Sequence, residues 1–365
     1  LQALPMPSAQ ATHAAVGRLR AVMQQRKYDK LADVLEALSD SLSSDDPRTA
    51  EAVALLSEER AAQLLLSATP TSTAMERADA LLAKASKDLR QSSDQRPKVE
   101  TLVQLATTRI LLNQRREDGK AQGVAQTELA ELLLTLDDPG AKFVGAELLI
   151  RAGIEATLYD DDPGGLLEAA RRLLLAYRTL GDQPQVVIPL TDLLSNPTVL
   201  EPMAQLPDVV AALRARQALC PDTELGDRVA FILLEAEASL IHSSNDEVDA
   251  QTAAKLRQAA AEASLRALQL DPSNVHALLL LRQATAPSDV ELDPLRDQPL
   301  TPEGASRLRA YAMYTLRMAS LLVDSEARTD LYSEAGQLLL RLGDQDGAAA
   351  ALRTALDGRP FDSNI

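Results

Sequence analysis

Along most of the chain apolar residues return every three to four positions, the spacing that gathers them on one face of a helix. From Thr49 to Leu66, Val53, Leu56 and Leu64 to Leu66 form such a stripe, with Glu58, Glu59 and Arg60 opposite. The same periodicity predicts helices over 8–26, 29–42, 72–91, 97–115, 120–136, 140–159, 164–180 and 184–195. It continues over 207–219, 224–242, 250–269, 274–285, 302–323, 326–342 and 345–358. The one β-branched run of note, Val186-Val187-Ile188, is bracketed by Pro184 and Pro189 too closely for a strand. An all-α chain is expected.

The breaks between helices repeat a small vocabulary. Asp-Pro stands at Asp46-Pro47, Asp138-Pro139, Asp162-Pro163, Asp271-Pro272 and Asp293-Pro294, where Asp can cap a helix and Pro can fill its first turn. Gly119, Gly181 and Gly343 fall where a left-handed residue would end one helix and turn the chain back. Short links between helices of similar length predict antiparallel neighbours, and many in succession predict a solenoid rather than a closed bundle. Residues 196–208, with Pro197, Pro202 and Pro207, read as a helix-poor seam between an N-terminal part (1–196) and a C-terminal part (207–365). Residues 286–301 are Pro-rich and acidic, and are expected to form an exposed excursion.

The last helical pair carries a more specific pattern. Counting a 34-residue unit from Thr329, Tyr332, Gly336 and Leu339 take the aromatic, small and large positions of a first helix, and Gly343 the turn. Ala348, Leu352 and Ala355 follow on the second helix, and Pro360 closes the unit. This resembles a tetratricopeptide repeat. Gly336 and Ala348 would let the two helices approach at their crossing, with Tyr332 and Leu352 filling the wider gaps beside it. A second unit ending at Pro272 has Ala260 and Ala267 in place but Ser264 at the large position. In the first helix that follows, Leu278 and Leu281 take core positions and Arg282 stands where the family has Gly. At motif level the resemblance spans about a third of the chain.

The resemblance implies a right-handed α-solenoid whose inner surface, lined by first helices, binds peptides. The positions that line it are Asp330, Ser333, Gln337 and Arg341 in the last unit, and His276, Leu279 and Gln283 in the first helix before it. Polar side chains there suit the grip of a peptide backbone. The alternative is that they are simply solvated.

Composition narrows the remaining classes. With 46% hydrophobic residues but only 2% aromatic, the apolar mass is aliphatic, and little is left to stack on bases. A net charge of −16 repels nucleic acid and anionic lipid alike. Cys220 is the one cysteine, and His13, His242 and His276 are too scattered for a structural zinc site. No apolar run approaches the roughly 20 residues that span a bilayer. The chain begins at Leu1 without Met and stops as if another repeat were to follow, which reads as a piece of a longer, bacterial protein. A cytoplasmic location is favoured, with export left open.

One cluster tempts an enzymatic reading. Asp160, Asp161 and Asp162 precede Pro163-Gly164-Gly165, and adjacent carboxylates can hold magnesium. A capping turn ahead of the 164–180 helix is the simpler account, since carboxylates favour helix starts. Basic residues crowd the early helices (Arg18, Arg20, Lys84, Lys87, Arg109) and acidic ones dominate from Glu128 to Glu168, a pattern of solvated faces or of docking, including self-association. The sequence therefore predicts a non-enzymatic scaffold for a protein or peptide partner, without cofactor or metal. Its alternatives are a helical ligand-sensing domain and a magnesium-dependent helical enzyme.

Overall fold

A computed structural model of the chain describes residues 71–91, 99–159, 162–221, 223–287 and 301–358, together with positions 54, 55, 57, 58, 61, 62, 64 and 65. The helices expected over 8–26 and 29–42, most of the 286–301 excursion, His13, Asp160, Asp161 and Pro360 lie outside the described residues. Among the described residues the structure is helical and contains no strand. The chain divides into two compact units, Leu1–Val186 and Val187–Ile365.

In the first unit, α1 (Ser72–Gln91), α2 (Val99–Arg115), α3 (Gly119–Leu134), α4 (Pro139–Tyr159) and α5 (Pro163–Leu180) each pack on the next in order. Helix α6 (Pro184–Leu194) runs across the division. The second unit contains α7 (Pro197–Met203), α8 (Pro207–Leu219), α9 (Leu225–Ser243), α10 (Ala250–Leu270), α11 (Val275–Thr285), α12 (Pro302–Leu321), α13 (Ser325–Arg341) and α14 (Gln345–Gly358). From α8 onward every helix packs on its successor, and α9 also packs on α11 across the intervening α10.

The punctuation works much as its chemistry requires. Asp162 accepts a hydrogen bond from Gly164 N, with Pro163 in the first turn of α5; Asp138 accepts from Ala141 N at 2.9 Å ahead of α4. Asp271 ends α10 instead, its carboxylate turned to Ser273 and Asn274. Gly181 (φ 68°) and Gly343 (φ 78°) take the left-handed conformation expected of them.

Two expectations are corrected. Gly119 does not turn the chain; it opens α3, and the positive φ falls on Glu117 at 57°. Asp118 then caps α3 through Ala121 N, so the reversal is complete before the glycine. Residues 196–208 are not helix-poor: Asn196 caps α7 through Thr198 N, Pro197 occupies its first turn, and α8 begins at Pro207. Three prolines that read as interruptions include two that stand at helix starts, where a missing N–H costs nothing.

Packing relies on small residues at the crossings. Gly336 of α13 lies against Leu352 of α14, so close that a Cβ at 336 would come 2.6 Å from Leu352 Cγ. Leu352 therefore fills the notch at Gly336 itself, rather than a gap beside it. Ala335, Ala348 and Ala355 are fully buried around the same crossing. The first unit repeats the arrangement: a Cβ at Gly153 of α4 would meet Leu173 Cγ of α5 at 2.9 Å and the Ala169 carbonyl oxygen at 3.2 Å. Leu149, Ala152, Ala169, Leu173 and Ala176 are all fully buried there.

Candidate functional site

The residues expected on an inner surface fall on one stripe of each helix because their spacing of three and four follows the helical repeat. On α13, Asp330 and Gln337 are exposed while Ser333 and Arg341 are half-buried; Leu331, Ala335, Leu338 and Leu339 face the core. The Arg341 Nη1 is buried without a hydrogen-bond partner. On α11, His276, Leu279 and Gln283 are exposed, and Ala277, Leu278, Leu280 and Leu281 are buried.

Contacts join helices two apart in the chain. His276 Nε2 on α11 lies 2.8 Å from Glu237 Oε1 on α9. Arg282, next to Gln283, donates through Nη2 to both carboxylate oxygens of Glu334 on α13 at 2.8 Å. Tyr311 of α12 closes this cluster: its hydroxyl donates to Glu334 Oε1 at 2.8 Å and accepts from Arg282 at 2.9 Å, with the guanidinium 5.1 Å from the ring centroid. Burial pushes the Tyr311 hydroxyl above its ordinary pKa, and the hydrogen bond and charge of Glu334 add to the rise. Arg282 thus bridges α11 to α12 and α13 through one guanidinium.

A second cluster centres on Glu235 of α9, whose side chain is 1% exposed. Arg214 Nε (2.7 Å) and Gln217 Nε2 (2.9 Å) reach it from α8, and Arg266 Nη2 (2.6 Å) from α10. The first unit has a counterpart with the charges exchanged. Arg109 of α2, 5% exposed, donates from Nε to Asp79 of α1 at 3.0 Å and from Nη1 to Glu128 of α3. Burial alone would lower the Arg109 pKa, but the hydrogen bonds and charges of Asp79 and Glu128 win, and it is raised. These last two clusters each tie three successive helices through one buried ion on the middle one. The sequence reading weighed docking for the charge blocks that hold Arg109 and Glu128 but singled out none of these pairs, because an isolated Arg or Glu in a helical pattern reads as a solvated face.

The aspartate run contributes little that is chemical among the described residues. Asp162 is committed to the cap of α5, and Asp160 and Asp161 lie outside them. Among the described residues no group of three or more His, Cys, Asp or Glu side chains is placed to hold a metal ion. None of the described helices is long and apolar enough to cross a membrane. Cys220 is buried at the end of α8, and burial, its largest influence, raises the thiol pKa. No protein-family model matches the chain, and no curated protein matches it.

Proposed function

We propose that the chain is a divergent array of tetratricopeptide-like hairpins, an α-solenoid that serves as a scaffold for a protein or peptide partner. The observation that carries this reading is the pair of bridges between alternate helices, His276 to Glu237 and Arg282 to Glu334. Alternate helices that touch one another form a continuous surface of first helices, while the intervening ones form the opposite layer. Asp330, Ser333, Gln337 and Arg341 on α13, with His276 and Gln283 on α11, are the polar positions offered to a bound chain. Leu279, 37% exposed on the same stripe, offers an apolar anchor among them. The Gly336 to Leu352 contact supports the same reading, since it is the close crossing that the repeat pattern requires.

The test purifies the intact protein and follows any chain that co-purifies with it. Gln283→Arg and Gln337→Arg, at exposed positions on the proposed surface, are expected to release the partner, while Arg353→Glu on the exposed side of α14 leaves it bound. Retention by the first pair, or loss only with the third, would remove the basis for the assignment.

A further inference from the structure

The first unit holds a cavity of about 380 Å³ among α3, α4 and α5, near the lower end of the usual range for small-ligand pockets. Its lining includes the opening turns of two helices, Gly119 and Lys120 of α3 and Gly164 and Gly165 of α5, with Asp162 and Glu168 beside them. Val124, Ala152 and Ala156 supply an apolar wall, and none of the described lining residues is aromatic.

Arg172 is the feature that points to a ligand. It lines the cavity with a side chain only 10% exposed. Its Nε is buried without a hydrogen-bond partner, and Nη1 makes a long bond of 3.4 Å to the Ala152 carbonyl. Glu168 Oε1 stands 3.5 Å from Nε, an ion contact that lacks hydrogen-bond geometry, and that carboxylate is half-exposed and shared with Arg171 at 4.0 Å. The guanidinium is therefore largely buried, with its Nε–H left without a hydrogen-bond acceptor. Gly123 keeps it there: a Cβ at 123 would stand 3.2 Å from Arg172 Nη1. Two nearby described carboxylates do not fill the need, because Asp162 is turned to Gly164 N and Asp118 to Ala121 N.

We propose that this cavity binds a small organic carboxylate with a short aliphatic body, the carboxylate on Arg172 and the body on Val124, Ala152 and Ala156. A planar guanidinium matches a carboxylate through two parallel bonds. Among the described lining residues none offers a ring for a nucleotide base to stack on, and the apolar body separates the ligand from free phosphate. The site is independent of the peptide surface proposed for the second unit, so either can fail without the other.

The experiment is titration calorimetry of the full chain with isovalerate, with isovaleramide and inorganic phosphate as comparison probes. Isovalerate is expected to bind saturably, and the uncharged amide about tenfold more weakly or worse, since a charge-assisted bond is lost. Arg172→Gln should weaken isovalerate by a similar factor, while Arg171→Gln, at the exposed neighbour, leaves it unchanged. Ala156→Leu, which places bulk in the cavity without touching a charge, should abolish binding with the thermal transition retained, and it decides the matter if Arg172→Gln does not fold. Absence of saturable binding, equal affinity for acid and amide, phosphate binding as tightly as isovalerate, or full binding in Ala156→Leu would each overturn the proposal.

Discussion

Gly153 and Leu173 meet across α4 and α5 as Gly336 and Leu352 meet across α13 and α14, with the missing Cβ site 2.9 Å and 2.6 Å from the leucine Cγ respectively. In both pairs an alanine four residues before the leucine, Ala169 or Ala348, has its carbonyl oxygen 3.2 Å and 3.4 Å from that missing Cβ site. The two hairpins lie in different units, each with a three-residue link, and they solve the crossing in one way.

Substitution at these glycines tests that shared solution. Alanine would gain about 1 kcal/mol of helix propensity, which offsets part of the clash. Valine forfeits most of that gain and adds bulk beside a helix backbone that cannot move freely. Gly153→Val and Gly336→Val are each expected to destabilise by about 2–3 kcal/mol in urea titrations. A change below 0.5 kcal/mol, within the range of ordinary surface substitutions, would show that the helices can separate without cost.

Glu117 offers the opposite sign. Its φ of 57° places an exposed, branched-at-nothing but Cβ-bearing residue in the left-handed region. That conformation costs a side-chain residue about 1–2 kcal/mol. Glycine removes this strain but loses about 0.4–1 kcal/mol through the freer unfolded chain. Glu117→Gly is therefore expected to raise the stability of the first unit by about 0.5–1 kcal/mol, readable as a higher urea midpoint with an unchanged slope. A lowered midpoint would contradict the backbone assignment.

The Glu235 cluster predicts an asymmetry between its members. Arg214 and Arg266 are 57% and 43% exposed, so each can return to water when the carboxylate is neutralised; Glu235, 1% exposed, has no such recourse. Removing both arginines strands a buried charge, at about 3–5 kcal/mol by the usual cost of breaking a buried pair. Glu235→Gln keeps the shape and two acceptor or donor contacts and should cost less than the Arg214→Met, Arg266→Met pair. Equal losses in denaturant titration would mean that the carboxylate is not charged in the folded state.

Acid dependence follows from two loop aspartates. The hydrogen bonds of Thr252 hold the Asp249 carboxyl below its ordinary pKa of 3.8, and those of Ser273 and Asn274 do the same for Asp271. A carboxyl depressed in the folded state stabilises it fully above the unfolded value and ceases to do so as pH falls through the folded one. The melting temperature should therefore drop as pH descends from about 4 through the folded pKa values. In the Asp249→Ala, Asp271→Ala protein that part of the drop should be smaller, because its melting temperature is already lower at neutral pH. Parallel curves for the two proteins would contradict the role of these caps.

What the sequence determined by itself was the local architecture. Helical periodicity, Asp-Pro starts and the left-handed Gly181 and Gly343 are all short-range chemistry, set by residues within a turn of one another, and they placed most helix boundaries within two residues. Even the crossing at Gly336 was legible, because a glycine in one helix and a small and a large residue four apart in the next leave a recognisable spacing. Tertiary structure alone decided which charges are buried. Arg109, Glu235 and Arg282 look in sequence like any solvated helix residue, since their partners lie 18 to 52 positions away and on different helices. Whether a long polar side chain reaches water or a partner depends on the rotation of each helix about its own axis, a quantity that packing fixes and a linear pattern does not contain.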